Sequence, residues 1–216
     1  MTRRLRDLSL ELLDDLPEAC RACVFWEVAD ADRGPAADAE TGRQSKEAWW
    51  QATQLEWGTP GKAAYVDGCL AGFAAFAPAK HYPRAIRLGG ASEDALLLAA
   101  LWVAPDYRGA GLARVLLQSV LRETHRRGAR ALEAYADRRV TGDSDALRTC
   151  MLDEGFLLAN GFTILREHRT TPLLRLDLRQ TVRWQESLSA ALEGVAAALA
   201  RRERTPVPAR SVPSAR

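Results

Sequence analysis

Lysine, histidine and cysteine are scarce in this chain, and each shortage closes off a class of function. Lysine occurs only at Lys46, Lys62 and Lys80, so arginine supplies most of the positive charge, and the formal net charge is only +2. So small an excess does not by itself point to nucleic acid or to a membrane surface. No apolar stretch approaches the length that crosses a bilayer, and the start, Met1-Thr2-Arg3-Arg4-Leu5-Arg6-Asp7, lacks the apolar centre of a secretory signal. The chain therefore reads as cytoplasmic. His81, His125 and His168 are scattered and have no H-x-x-x-H spacing, so no metal is expected. The four cysteines, Cys20, Cys23, Cys69 and Cys150, are too few and too dispersed for a disulfide scaffold. Cys20-Arg21-Ala22-Cys23 has the spacing of half a zinc knuckle or of a redox pair, but no second C-x-x-C follows it. The thiols read as reduced and packed like small hydrophobes, with a site completed by Cys150 or His168 left open.

With 216 residues, 47% of them hydrophobic, the chain suffices for one domain with a sizeable core plus appendages. Periodicity places a short strand or turn and then a helix from Ser9 to Pro17, a loop over 29–42, and a second helix over 45–57 capped by Ser45. Asp67-Gly68 joins strands over 62–66 and 69–76 in a tight hairpin. The run 96–103 is apolar throughout and reads as the central strand, covered on both faces. A helix from Gly111 to Gly128, a strand over 129–135, a helix over 149–160 and strands over 161–165 and 174–178 follow. The expected organisation is a domain over 1–180, an amphipathic helix over 181–203 and a disordered Pro/Arg-rich tail over 204–216. Near-neutral charge and the lack of interleaved aromatics argue against nucleic-acid binding by that tail.

The densest functional signal is the turn Tyr107-Arg108-Gly109-Ala110-Gly111-Leu112-Ala113, between the apolar run and an amphipathic helix. Glycines let the backbone approach a ligand, and a helix start aims unpaired N–H groups and the positive dipole end at whatever precedes it. The natural occupant is an anion. A Walker loop would end in Gly-Lys-Ser/Thr, and a dinucleotide fingerprint would carry three glycines and a later acidic residue; neither is present.

What remains, Arg108-x-x-Gly111-x-Ala113 after a buried strand and at the head of a helix, resembles the acyl-CoA pyrophosphate motif of the GNAT N-acetyltransferase superfamily. The order of elements from about residue 4 to 178 matches that plan, and Asn160-Gly161-Phe162 resembles its Gly-Phe landmark. The segment Cys20-Arg21-x-Cys23-Val24-Phe25-Trp26-Glu27, with the Trp-rich helix, is similar to a group of stand-alone actinobacterial members of uncertain substrate. The resemblance implies an α/β (α+β) fold: a mixed, mostly antiparallel sheet with a central parallel strand pair, flanked by helices, plus the C-terminal helix. It also implies acetyl-CoA as cosubstrate, with the backbone of Trp102 and Val103 along the pantetheine arm. The turn of Arg108, Gly109, Ala110, Gly111, Leu112 and Ala113 would hold the pyrophosphate.

Direct transfer of an acyl group to an amine needs a neutral amine, a donor for the tetrahedral oxyanion and a proton for the departing thiolate. A backbone N–H near Val103 suits the oxyanion. Family members often carry a carboxylate on the central strand and a tyrosine before the Gly-Phe landmark, and here both are missing. The candidate proton-transfer groups are therefore Glu27, Glu133 and Cys150, each of which also has a purely structural reading. An acidic loop with Asp30, Asp32, Asp38 and Glu40 stands as a candidate attractor of a cationic amine. Two functions follow from these features: an acetyl-CoA-dependent N-acetyltransferase of unidentified amine, or a non-catalytic acyl-CoA-binding module. The C-terminal amphipathic helix would then serve a homodimer, a partner or its own sheet.

Overall fold

Asp67 and Gly68 both take positive φ, 47° and 86°, the left-handed pair that closes a two-residue hairpin. They join β2 (Gly61–Val66) to β3 (Cys69–Ala77). This computed structural model describes residues 3–29, 38–138, 150–178 and 195. The remaining strands are β1 (Arg3–Asp7), β4 (Ala95–Val103), β5 (Ala131–Asp137), β6 (Leu152–Asp153), β7 (Thr163–Arg166) and β8 (Leu173–Asp177). All eight form one sheet in the order β1-β2-β3-β4-β5-β8-β7, with β6 beside β5. Only the β4–β5 and β5–β6 contacts run parallel among the described residues. This is the mixed, mostly antiparallel sheet with a central parallel pair that the resemblance implies.

The helices are α1 (Glu18–Arg21), α2 (Ala39–Glu56), α3 (Pro83–Arg87), α4 (Leu112–Arg126) and α5 (Glu154–Ala159). Alternation along β4 divides its side chains between two layers. Leu96 and Leu98 pack with Leu117, Val120 and Leu121 of α4. Leu97 and Ala99 face an aromatic layer that contains Trp26, Tyr82 and Tyr135. On α4 two polar residues are buried, Thr124 and Glu123, and the Glu123 carboxylate accepts from Arg126 Nη2 at 2.5 Å and Arg127 Nε at 2.6 Å. Burial opposes its charge, but these two hydrogen bonds and nearby Lys62 bring its pKa down to about 2.

Several expected boundaries move, each for a local reason. The first helix is a 3₁₀ turn, Leu10–Asp15, which Pro17 leaves too short to settle into an α-helix; Leu13 and Leu16 are still buried. Helix α2 starts at Ala39 rather than at Ser45, because Asp38 caps it by accepting from the Thr41 N–H at 2.7 Å and the Thr41 hydroxyl at 2.8 Å. The stretch 78–93, for which no element is expected, holds a 3₁₀ turn at Ala79–His81 and then α3. The helix expected over 149–160 begins only at Glu154, where Asp153 accepts from the Phe156 N–H at 2.6 Å, and Leu152–Asp153 pair with β5 instead. Residues 30–37 and 139–149 lie outside the described residues. So does the segment after Leu178, on which the expected C-terminal helix and tail fall, except that Val195 is helical and buried.

Candidate active site

The parallel pair at the centre of the sheet is short. β4 and β5 are in register at Ala95–Ala131, Leu96–Leu132 and Leu97–Glu133, and no further. Just beyond, Phe76 of β3 pairs with Leu98 while Ala75 pairs with Ala100, so Ala99 is an extra residue on β4. Such a bulge bends and over-twists its strand. From there β4 follows β3 to Val103, whereas β5 runs on beside β8 to Tyr135, and a wedge opens between them. β6 takes up the end of the freed edge of β5, through Ala136–Leu152 and Asp137–Asp153.

The ladder decides which backbone groups face the wedge. The Ala104 N–H donates to the Ala71 carbonyl of the β3 side at 2.9 Å. By the two-residue alternation of an antiparallel pair, Trp102 also turns its N–H and C=O to β3, and the peptide groups of Leu101 and Val103 point to the open edge. Trp102, whose backbone the resemblance places along the pantetheine arm, thus lies between Leu101 and Val103 with its peptide groups on the β3 side. The indole of Trp102 packs on Phe73, with ring centroids 5.9 Å apart.

Directly after β4 comes the glycine turn. A 3₁₀ turn at Pro105–Tyr107 leads to Gly109 and Gly111, at φ 74° and 88°, and Gly111 is the N-cap of α4 with no side-chain cap bond. A left-handed N-cap with no side chain leaves the first-turn amides and the positive end of the helix dipole directed at the space before α4. Arg108 Nε donates to the Val103 carbonyl at 3.0 Å, which fastens the turn to the end of the strand. Ala110 is buried against Val115 and Val195, and a Cβ on Gly111 would stand 3.5 Å from Val195 Cγ2. Leu112 is buried under the sheet with Leu116. Ala113 occupies the first turn of the helix.

On the opposite face of the sheet, the bulge puts two small residues, Ala99 and Ala100, side by side at the floor of a narrow cavity of about 30 Å³, lined also by Cys23, Glu27, Lys46, Trp50 and Cys150. That is room for one or two waters. Lys46 Nζ lies 2.6 Å from Glu27 Oε1, with side-chain exposures of 13% and 6%. Burial works against the Lys46 ammonium, but the Glu27 carboxylate and the Cys23 sulfur outweigh it, so its pKa lies above the ordinary lysine value. The second Glu27 oxygen accepts from the Trp26 N–H at 3.1 Å. Cys23 Sγ and Cys150 Sγ stand 2.9 Å apart and share a hydrogen. The bond from Cys150, opposed by burial and aided by Lys46, brings the Cys23 thiol down to about 7. Trp26 Nε1 donates to the Cys150 carbonyl at 2.7 Å and fixes that residue at the entry to β6.

Glu27 and Cys150 are thus brought together, while Glu133 is not. Its side chain is fully buried, and it accepts from Arg175 Nη1 at 2.8 Å and from the Ser92 N–H at 3.0 Å. The acidic loop is also committed where it is described: Asp38 caps α2, and Glu40 binds Arg43 and Gln44. Among the histidines, His168 caps the turn to Thr170 and Thr171. His81 is half-buried, with Nδ1 3.9 Å from Glu56. No cluster of three metal-ligating side chains occurs among the described residues. A larger open groove of about 530 Å³ lies at the β1–β2 edge, lined by Arg4, Arg6, Asp15 and Tyr65. Its mixed charges and its place two strands from β4 separate it from the wedge.

Lys46 is the residue of this cavity that sequence reasoning passed over. A signal for Lys46 was there: it stands four and seven residues before the buried Trp50 and Thr53, on the apolar side of its helix. Cys23 carried a signal in its C-x-x-C spacing, and the partner left open for it, Cys150, lies 127 residues away in the chain.

Comparison with known proteins gives a consistent result. Residues 13–146 match the sequence model of the Acetyltransferase (GNAT) family. No curated protein matches at a significant level. The fold is similar to that of PaiA N-acetyltransferase from Thermoplasma acidophilum in complex with coenzyme A, at 17% identity and a TM-score of 0.52 over 82% of this chain and 99% of that one. It is also similar to an N-acetyltransferase from Staphylococcus aureus Mu50, at 18% identity and a TM-score of 0.55 over 82% and 99% of the two chains. YncA from Salmonella typhimurium with its cofactor acetyl-CoA is 17% identical, with a TM-score of 0.53 over 84% and 97%.

Proposed function

The chain belongs to the GNAT acetyltransferase family, and from that premise we propose that it transfers an acetyl group from acetyl-CoA directly to an amine held beside Glu27, Lys46 and the Cys23–Cys150 pair. The observation that carries this reading is the splay of β4 from β5 after Leu97. The wedge has the glycine turn at the end of one of its strands and the polar cavity against the same strand. The residues present fit acetyl-CoA. The positive φ of Gly109 and Gly111 and the uncapped helix start suit a pyrophosphate. The peptide groups of Leu101 and the N–H of Val103 suit the amide-rich pantetheine arm.

Each group in the cavity then has a role. The Val103 or Leu101 N–H receives the oxyanion that develops on the thioester carbonyl. Glu27, held in place by Lys46 and the Trp26 amide, has lone pairs left to orient the incoming ammonium. The Cys23–Cys150 pair, with one sulfur poised at about 7, exchanges a proton at neutral pH. It takes one from the amine and returns it to the departing CoA thiolate, the task that a tyrosine performs in the resemblance described above. Glu133 is left out of the chemistry and assigned to the sheet.

The test is release of free CoA from acetyl-CoA across a panel of amines: diamines, aminoglycosides, amino acids and peptides with free N-termini. Turnover on one class with the wild-type chain, reduced at least tenfold in Glu27→Gln, supports the reading. Binding of acetyl-CoA with no turnover on any class identifies the chain instead as a non-catalytic acyl-CoA-binding module.

A further inference from the structure

We propose that Cys23 and Cys150 are a reversible dithiol–disulfide couple that switches the acceptor cavity off under oxidation. The two sulfurs come from distant parts of the chain, the turn after α1 and the entry to β6, yet they stand 2.9 Å apart at the cavity wall. Both residues are partly exposed rather than sealed in the core. The C-x-x-C spacing suggests the wrong pair. Cys20 packs beside the cluster of Leu13, Leu16 and Trp50, and burial pushes its thiol up to about 11, so it is a poor nucleophile. Cys69 is exposed at the start of β3. Cys23 faces a cation, Lys46, and a second thiol. That is the environment in which a thiolate forms and has a resolving partner at hand.

The oxidant is a peroxide. The Cys23 thiolate attacks one oxygen of hydrogen peroxide, the O–O bond breaks and hydroxide leaves, giving a sulfenic acid. The Cys150 sulfur then attacks the Cys23 sulfur, the S–S bond forms, and the sulfenic oxygen leaves as water with the Cys150 proton. Two electrons pass from the thiols to the peroxide. A small thiol reverses the reaction by exchange, taking the sulfurs back to two thiols while two of its own molecules become a disulfide. The oxidised pair has no proton to exchange and ties the turn at Cys23 to the edge of β5 through β6. Its effect on acetyl transfer rests on the function proposed above; formation of the bond does not.

The test treats the reduced, full-length protein with hydrogen peroxide and follows free thiols, intact mass and the linked peptides under non-reducing conditions. The expected result is a monomer that falls from four free thiols to two, with Cys23 joined to Cys150, and that dithiothreitol restores. The double variant Cys20→Ser, Cys69→Ser should lose both of its remaining thiols in the same bond. Cys23→Ser and Cys150→Ser should each form no intramolecular bond. A Cys20–Cys23 linkage, or accumulation of sulfinic acid without a bond, overturns the proposal. Acetyl-CoA thermal shifts and amine turnover are measured on both redox forms, and turnover is expected to drop at least tenfold on oxidation and to recover on reduction. A disulfide that leaves turnover unchanged refutes the control. Absence of an acetyl-CoA shift in the reduced protein refutes the acetyltransferase reading and leaves the thiol result to stand or fall by itself.

Discussion

Replacing Arg175 by methionine separates the two roles that Glu133 has been offered. The Glu133 side chain is fully buried, and apart from the Ser92 amide its partner is the Arg175 guanidinium at 2.8 Å. Methionine keeps much of the volume of the arginine stem but leaves a carboxylate buried on a central strand with one backbone donor. Breaking a buried ion pair from one side costs about 3–5 kcal/mol. Asp94 and Asp177, the other partners of Arg175, have side-chain exposures of 40% and 42% and return to water at little cost. For a chain of this length about 2–4 °C of melting temperature goes with each kcal/mol, so Arg175→Met should melt about 6–20 °C lower at neutral pH. Adding Glu133→Gln to Arg175→Met should recover more than half of the loss. Glu133→Gln alone should lower the melting temperature while leaving turnover per folded molecule unchanged. Scanning calorimetry and the CoA-release assay decide it. An Arg175→Met loss below about 1 kcal/mol, or a Glu133→Gln protein that melts normally but has no activity, would refute the structural assignment.

Other consequences follow from the same geometry. Gly111→Glu puts a side chain on a residue at φ 88° and a negative charge in the proposed cradle; it should cost about 1–2 kcal/mol of stability and abolish the thermal shift given by acetyl-CoA. Iodoacetamide should alkylate Cys23 with a rate that rises as pH passes through about 7, because the thiolate is the nucleophile; Lys46→Met, which removes the nearby cation, should move that midpoint upward. Glu123 has its folded pKa at about 2 against an ordinary 4.5. Its stabilising contribution is therefore fully present above the unfolded value and lost as pH falls through the folded one, so Glu123→Gln and the wild type should differ at neutral pH and converge in strong acid.

The parts of this fold that could be read from sequence are those fixed by neighbours in the chain. Asp67-Gly68 dictates its hairpin through two left-handed residues, and the Gly109–Gly111 turn announces the start of α4 in the same way. The apolar run into β4 marks the centre of the sheet because only a strand covered on both faces tolerates it, although from Ala100 onward the strand is only partly buried. The wedge itself was not legible, since Ala99 and Ala100 look like any two small residues until β3 fixes the register and leaves one of them over. The same register decides that Leu101 and not Trp102 faces the open edge. β6 is two residues long and exists because β5 has a freed edge to pair with, which no local pattern encodes. Both Asp38 and Ser45 are good cap residues, and the choice between them came from the Thr41 donors and not from hydrophobic spacing. The thiol pair and the Glu27–Lys46 pair join residues 127 and 19 positions apart, and tertiary packing alone brings them together.

The central claim is that the glycine turn and the splayed β4 bind acetyl-CoA, and titration calorimetry of the reduced chain tests it most directly. The account predicts one acetyl-CoA bound per chain, with S-acetylpantetheine, which lacks the pyrophosphate, binding at least tenfold more weakly. Equal affinity for the two ligands, or no heat from acetyl-CoA at all, would contradict it.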